Sequence, residues 1–182
     1  MTNPAQSTVE SVESTAESTA ESAVEPAVEP TVVHRVVTVT DEWLKPLPSV
    51  DHDNAPFWEG LREHRLLLWT CGECGASYFP KAYCRDDHNL PFAEQMEWKE
   101  SSGLGTIHTA NIHRRAFDEE FAADVPYAFG LVRLDEGPLI SSTIDDVDDP
   151  VAAIGRRVEV YFEDHPAEGF TLPRFRLIDP QA

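Results

Sequence analysis

Basic residues are scarce: 14 Lys and Arg face 33 Asp and Glu across 182 residues, a formal net charge of −19. Phosphate backbones and anionic bilayers are bound through clustered Lys and Arg, so a chain this acidic excludes nucleic acid and membrane surfaces as partners. Long apolar runs are missing too. No stretch approaches the roughly 18 residues that a membrane span needs. The N-terminus lacks the basic-then-apolar layout of a secretory leader. There are only three cysteines. One bridge would leave a thiol over, which argues against a secreted disulfide scaffold. These absences make a cytoplasmic location the expectation. The first 30 residues contain no aromatic residue, Lys or Arg. About 140–150 residues then remain for folding, enough for one core or two small ones.

What those first residues do contain is a repeat. Glu13, Glu17, Glu21, Glu25 and Glu29 recur at every fourth position among small residues. On a helix they would share a face and repel. Pro26 and Pro30 break any helix, and too little apolar area is present to offset ordering the backbone. Residues 1–31 therefore read as a disordered acidic tail. Residues 32–53 read as an extended linker or arm, whose β-branched run of Val32, Val33, Val36, Val37 and Val39 suits either an added strand or an arm lying on a partner.

Residues 54–98 begin with a helix signal. Asp53 or Asn54 can cap it, Pro56 suits the first turn, and Phe57, Trp58 and Leu61 share a face. Leu66 to Trp69 then reads as a strand running into Cys71. From 99 to 182 the period becomes two. Thr106–Ile112 is strand-like, and Gly130–Leu134 and Leu139–Ile144 are joined by the hairpin signal Asp135-Glu136-Gly137. Val158, Val160 and Phe162 alternate with Glu159 and Tyr161. Phe170–Ile178 carries Pro173, which marks it as an edge strand. The expectation is a mainly β protein: a helix, a small metal module, then a five-stranded closed barrel.

Cys71-Gly72-Glu73-Cys74-Gly75 carries the most chemistry. Two thiolates with two residues between them can turn around one ion, and the following glycine lets the backbone fold back toward the sulfurs. Cys84 supplies a third sulfur after nine intervening residues. A closed tetrahedral site needs a fourth donor, and the chain offers Asp87 or His88. Imidazole nitrogen competes well for zinc beside sulfur, so His88 is preferred and Asp87 is the alternative. A redox reading of the CxxC pair fits poorly, because Cys84 follows and no βαβ context surrounds it. No nucleophilic triad can be assembled, and no catalytic residue is assigned.

Other constellations are weaker. Gly103-Leu104-Gly105 lacks the third glycine and the strand-to-helix setting of a dinucleotide loop, and reads as a bend. Asp145, Asp146, Asp148 and Asp149 lack the loop glycine and final glutamate of an EF-hand, and read as a solvated loop. His108 and His113, with Arg114 and Arg115, form the one local basic cluster, a candidate contact for coenzyme A or for an acidic partner.

Several segments in order match a known family: Phe57-Trp58-x-Gly60-Leu61, then Leu68-Trp69-Thr70-Cys71-x-x-Cys74-Gly75 and Tyr78-Phe79-Pro80. Cys84, Glu97-Trp98, Ser102-Gly103-x-Gly105-Thr106 and Val125-Pro126-Tyr127 follow, and then Gly130-Leu131-Val132-x-Leu134-Asp135-Glu136-Gly137. Ile154-Gly155-x-x-Val158-Glu159-Val160-x-Phe162 and Leu172-Pro173-x-Phe175 close the chain. Over residues 54–178 the sequence resembles the DUF35 family of zinc-ribbon, OB-fold proteins that accompany acyl-CoA enzymes. The resemblance implies a rubredoxin-like zinc ribbon and an OB barrel. It also implies a non-catalytic subunit that binds a thiolase-like protein, a thiolase or a retro-aldolase, as in steroid side-chain or aromatic degradation. It further implies two copies of each subunit, with a CoA thioester contacted at the interface. Cys71, Cys74 and Cys84 take three of the family's ligand positions, and Asp87 stands where the fourth cysteine usually lies. Two rival readings are a stand-alone acyl-CoA hydratase or hydrolase using His108 or His113 as base, and a binding module for another ligand.

Overall fold

The computed structural model describes residues 34–86 and 95–178. The acidic repeat, Asp87 and His88 lie outside the described residues. Helix α1 (Ala55–Arg62) starts with Pro56 in its first turn and buries Phe57, Gly60 and Leu61. Asn54 stands at its N-cap without capping through its side chain. Its Oδ1 instead accepts the amide of Asp51, whose own Oδ1 accepts those of Asp53 and Asn54. This turn competes with the helix for the short polar side chains.

Strands β2 (Leu67–Cys71), β3 (Ser77–Tyr78) and β4 (Met96–Glu100) form an antiparallel sheet in the order β3-β2-β4. Trp69 lies opposite both Tyr78 and Trp98. Cys71, Cys84 and Met96 form a small core beneath this sheet, with Trp69 and Tyr78 packed against it.

The barrel uses β5 (Leu104–His113), β6 (Tyr127–Leu134), β7 (Leu139–Asp145), β8 (Arg157–His165) and β9 (Phe170–Leu177). Neighbouring strands run β8-β5-β6-β7-β9, and β8 pairs with β9 to close the circle. Only β7 and β9 run parallel within it. A short helix α2 (Pro150–Ala153) links β7 to β8 and is capped by Asp149, whose side chain accepts two amides. The core runs from Phe57, Leu61 and Leu68 into the barrel residues Ile107, Val132, Ile140, Val160, Phe162 and Phe175. Burying such side chains contributes about 1.5–3 kcal/mol each.

Gly103 must be glycine: its φ is +70°, and a Cβ there would collide with Val160 and His34. The bend read from Gly103-Leu104-Gly105 is this turn into β5. Glu136, in the β6–β7 turn, accepts from Ser101 Oγ at 2.9 Å and from the Ser102 amide at 2.7 Å. That carboxylate fastens the exit of the small sheet to the barrel.

The arm contributes β1 (Val36–Thr38), which pairs in parallel with Phe162–Asp164 of β8. Strand β5 pairs with β8 only as far as Glu159, so β1 takes over the edge that β5 leaves. Strand β9 is not an edge, because it pairs with β8 along its whole length and with β7 at Ile144–Phe175 and Asp145–Arg176. Pro173 is tolerated for a local reason. Its partner Phe162 donates its amide to Arg35, away from β9. Pro173 therefore turns its own missing donor toward a stretch where β7 and β9 have parted.

Candidate metal centre and the open face of the barrel

Strand β2 delivers Cys71 at its last residue, and the chain then turns sharply. The Gly75 amide donates to Cys71 O at 2.8 Å, and the Cys71 amide donates to Ala76 O at 2.9 Å. Gly75 sits at φ +73°, a conformation open to glycine and costly for β-carbon residues. This knuckle carries Cys74 back toward Cys71, and β3 leads the chain round to Cys84. The three sulfurs all lie within 4.8 Å of one another, and those of Cys74 and Cys84 are 3.6 Å apart. Tetrahedral zinc holds sulfur at about 2.3 Å, which puts ligand sulfurs roughly 3.8 Å from each other. The trio fits that ion. Cys71 and Cys84 are buried and Cys74 is exposed.

The surroundings favour thiolate at one corner. The amide of Asp86 does most to bring the Cys84 thiol down, to about 6; burial opposes it, and Tyr78 and the other two sulfurs assist. At Cys74 the Ala76 amide pulls down, but burial and the neighbouring sulfurs together push the thiol up. Zinc binds the thiolate, so Cys84 is the sulfur most ready to ligate, and Cys74 would release its proton on binding the metal.

The barrel presents a second feature. Tyr161, Glu163 and His165 on β8 are buried at 4%, 9% and 2% exposure, although they alternate with the inward-facing Val160 and Phe162. Arg174 Nη1 donates to Glu163 at 2.6 Å, and His165 Nε2 lies 3.0 Å from the same carboxylate. The Tyr161 hydroxyl donates to Asp145 at 2.5 Å. Burial, with the Asp145 carboxylate beside it, pushes the Tyr161 phenol well up. Burial alone would lower the Arg174 pKa, but Glu163, Tyr161 and Asp145 raise it above its ordinary value. The arm forms the cover: Trp43 packs edge-on to His165 and Phe170, and Arg35 lies over the Tyr161 ring.

Beside this network a cleft of about 570 Å³ opens between the arm, α1, β6, β7 and β9. Sequence reasoning missed both network and cleft. The alternation at β8 looks like an inside-outside pattern, and nothing local shows that the arm folds over its outer face. Asp145, read as part of a solvated loop, belongs to the network.

His108 and His113 stand at separate positions along β5. His113 stacks on Tyr127 with ring centroids 5.0 Å apart and meets Phe117 and Phe129 edge-on. His108 sits in the β-bulge between Ile107 and Thr109.

Residues 58–90 match the family model for the rubredoxin-like zinc ribbon domain of ChsH2, and residues 98–163 match that for its C-terminal OB-fold domain. A DUF35 domain-containing scaffold protein of Methanothermobacter thermautotrophicus is 32% identical over 109 residues, covering 59% of this chain and 79% of that protein. The chain belongs to the DUF35 family. Two further relatives are larger. A probable enoyl-CoA hydratase alpha subunit of Thermomonospora curvata is 26% identical over 76% of this chain and 41% of its own length. The 3-oxo-4,17-pregnadiene-20-carboxyl-CoA hydratase alpha subunit of Mycobacterium tuberculosis is 27% identical over 65% of this chain and 36% of its own. This DUF35 chain thus spans less than half of either. The solved structure titled Ltp2-ChsH2(DUF35) aldolase shares its fold, with a TM-score of 0.60 at 23% identity, covering 72% of this chain and 98% of that one. The mainly β reading, with ribbon and OB barrel, holds. Among the described residues no helix is long and apolar enough to cross a membrane.

Proposed function

We propose that this chain is a non-catalytic accessory subunit that binds a thiolase-like enzyme, a thiolase or retro-aldolase, acting on CoA thioesters in steroid side-chain or aromatic degradation. The observation that carries this reading is the match over 79% of a relative named a scaffold protein, by a chain whose ribbon and barrel share one core. The structural relative is named an aldolase with a DUF35 component, and the two hydratase relatives are named as subunits, which agrees with it. In this reading Cys71, Cys74 and Cys84 hold zinc with His88 as fourth ligand, or Asp87 in its place. Bound zinc would supply a fixed cross-link that holds the knuckle in shape. The complex has two copies of each subunit and meets the CoA thioester at the interface, in the cytoplasm.

Co-expression with a thiolase-like companion tests this. The expected result is a stable complex that survives gel filtration, with neither subunit alone reaching full turnover. A companion fully active by itself and indifferent to this chain overturns it. The hydratase names favour a second reading, a stand-alone acyl-CoA hydratase or hydrolase using His108 or His113 as base. Purified chain assayed alone on enoyl-CoA and acyl-CoA thioesters separates the two, since turnover belongs only to the second.

A further inference from the structure

The OB barrel ordinarily binds ligands on the face of its second and third strands, between the loops that follow its first and fourth strands. In this chain those strands are β6 and β7, and the cleft of about 570 Å³ lies on that face. The arm adds a wall to this open surface. Lys45 Nζ reaches Asp124 of the β5–β6 loop at 2.6 Å, and the Trp43 amide donates to Glu168 of the β8–β9 loop at 3.3 Å. The arm is thus pinned to both loops that flank the ligand face. Helix α1 closes another side with Phe57 and Trp58.

The chemistry of the walls selects the occupant. Aromatic rings dominate, with Trp43, Trp58, Phe121, Tyr127 and Phe129 among them. Both cations at the cleft are already used. Lys45 is paired with Asp124 and lies 4.6 Å from the Trp43 ring centroid and 5.6 Å from that of Phe121. Arg174 is held by Glu163 at 2.6 Å and faces Asp145 at 3.9 Å. A carboxylate or phosphate entering here would have to displace one of those carboxylates and meet the others. Neutral polar groups are present as well: Ser141 and Thr143 border the cleft on β7. Its floor is the stretch where β7 and β9 part, bridged by Ser142 Oγ donating to Pro173 O at 2.8 Å. Flat walls with a few hydroxyls suit a rigid ring system bearing an isolated oxygen, and the volume is that of an ordinary small-molecule pocket.

We propose that this arm-walled cleft is a binding site for an uncharged, fused-ring small molecule, recognised by aromatic stacking and by the hydroxyls of β7. For its ligand class this inference rests on the proposed role in steroid or aromatic degradation, while its test uses the chain alone, so its failure is separate from failure to bind a companion enzyme. Progesterone is a suitable neutral probe, compared with 1-decanol as a flexible chain and coenzyme A as an anion. Titrated into the full chain, progesterone is expected to quench tryptophan fluorescence saturably with micromolar affinity, confirmed by calorimetry. Ser141→Phe fills the cleft from an exposed strand position, and Phe129→Ala removes a wall. Each should weaken progesterone at least about tenfold while far-UV circular dichroism stays unchanged. Absence of saturable progesterone binding overturns the proposal. So does tighter binding of decanol or coenzyme A, or unchanged affinity in the folded variants.

Discussion

Cys84 shows how much one side chain decides. It is buried, its sulfur is 3.6 Å from that of Cys74, and an amide holds its pKa down. Cys84→Ser keeps the shape and loses the soft donor. Bound zinc, measured by plasma mass spectrometry after dialysis, is expected to fall from about one equivalent to a small fraction of that. Asp135 is a case of a different kind. Arg157 grips both its oxygens at 2.6 Å and holds its carboxyl below the ordinary range, against a smaller opposing effect of burial. A depressed carboxyl contributes stability above the unfolded range and loses it as pH falls through the folded value. Both partners are partly exposed, so Asp135→Asn should cost only about 0.5–1 kcal/mol at neutral pH. Urea midpoints of the two proteins should converge as the pH drops below about 4.

At the level of elements, the junction into β5 is the least forgiving. Gly103→Ala meets both a left-handed backbone and a collision with Val160, and should cost about 1–3 kcal/mol by chemical unfolding. Much at this scale was legible beforehand. Period-two alternation marked β8, Asp135-Glu136-Gly137 marked the β6–β7 hairpin, and Cys71-x-x-Cys74 marked the knuckle, because each signal is local. The β-branched run Val32–Val39 offered an added strand, but the pairing of β1 with β8 and the burial of Glu163 and His165 were not legible. They depend on pairing across more than a hundred residues, and the polar side of a strand looks the same in sequence whether water or an arm covers it. Pro173 misled for a related reason: proline does exclude a ladder bond, but a barrel whose strands part locally can place it inside.

For the molecule as a whole, the fold and the charge point in different directions. OB barrels and zinc ribbons commonly hold nucleic acid through basic grooves, yet this chain carries −19, and its cleft cations are neutralised from within. Oligo-dT at low salt should produce no saturable change in fluorescence anisotropy; a salt-sensitive affinity would contradict that. The legible part of the candidate site was likewise the part set by composition and spacing, the sulfur trio. The cleft needed three remote segments to meet before it existed.

The parallel β7–β9 pairing, confined to two residue pairs at one end, makes that seam the barrel's natural breathing point. The backbone amides of Ser141 and Thr143, on the β7 side of that seam, should trade deuterium sooner than those in the β5–β6 ladder, without global unfolding. A guest lodged there would act as a fastener, slowing that exchange while leaving the rest of the barrel's rates untouched.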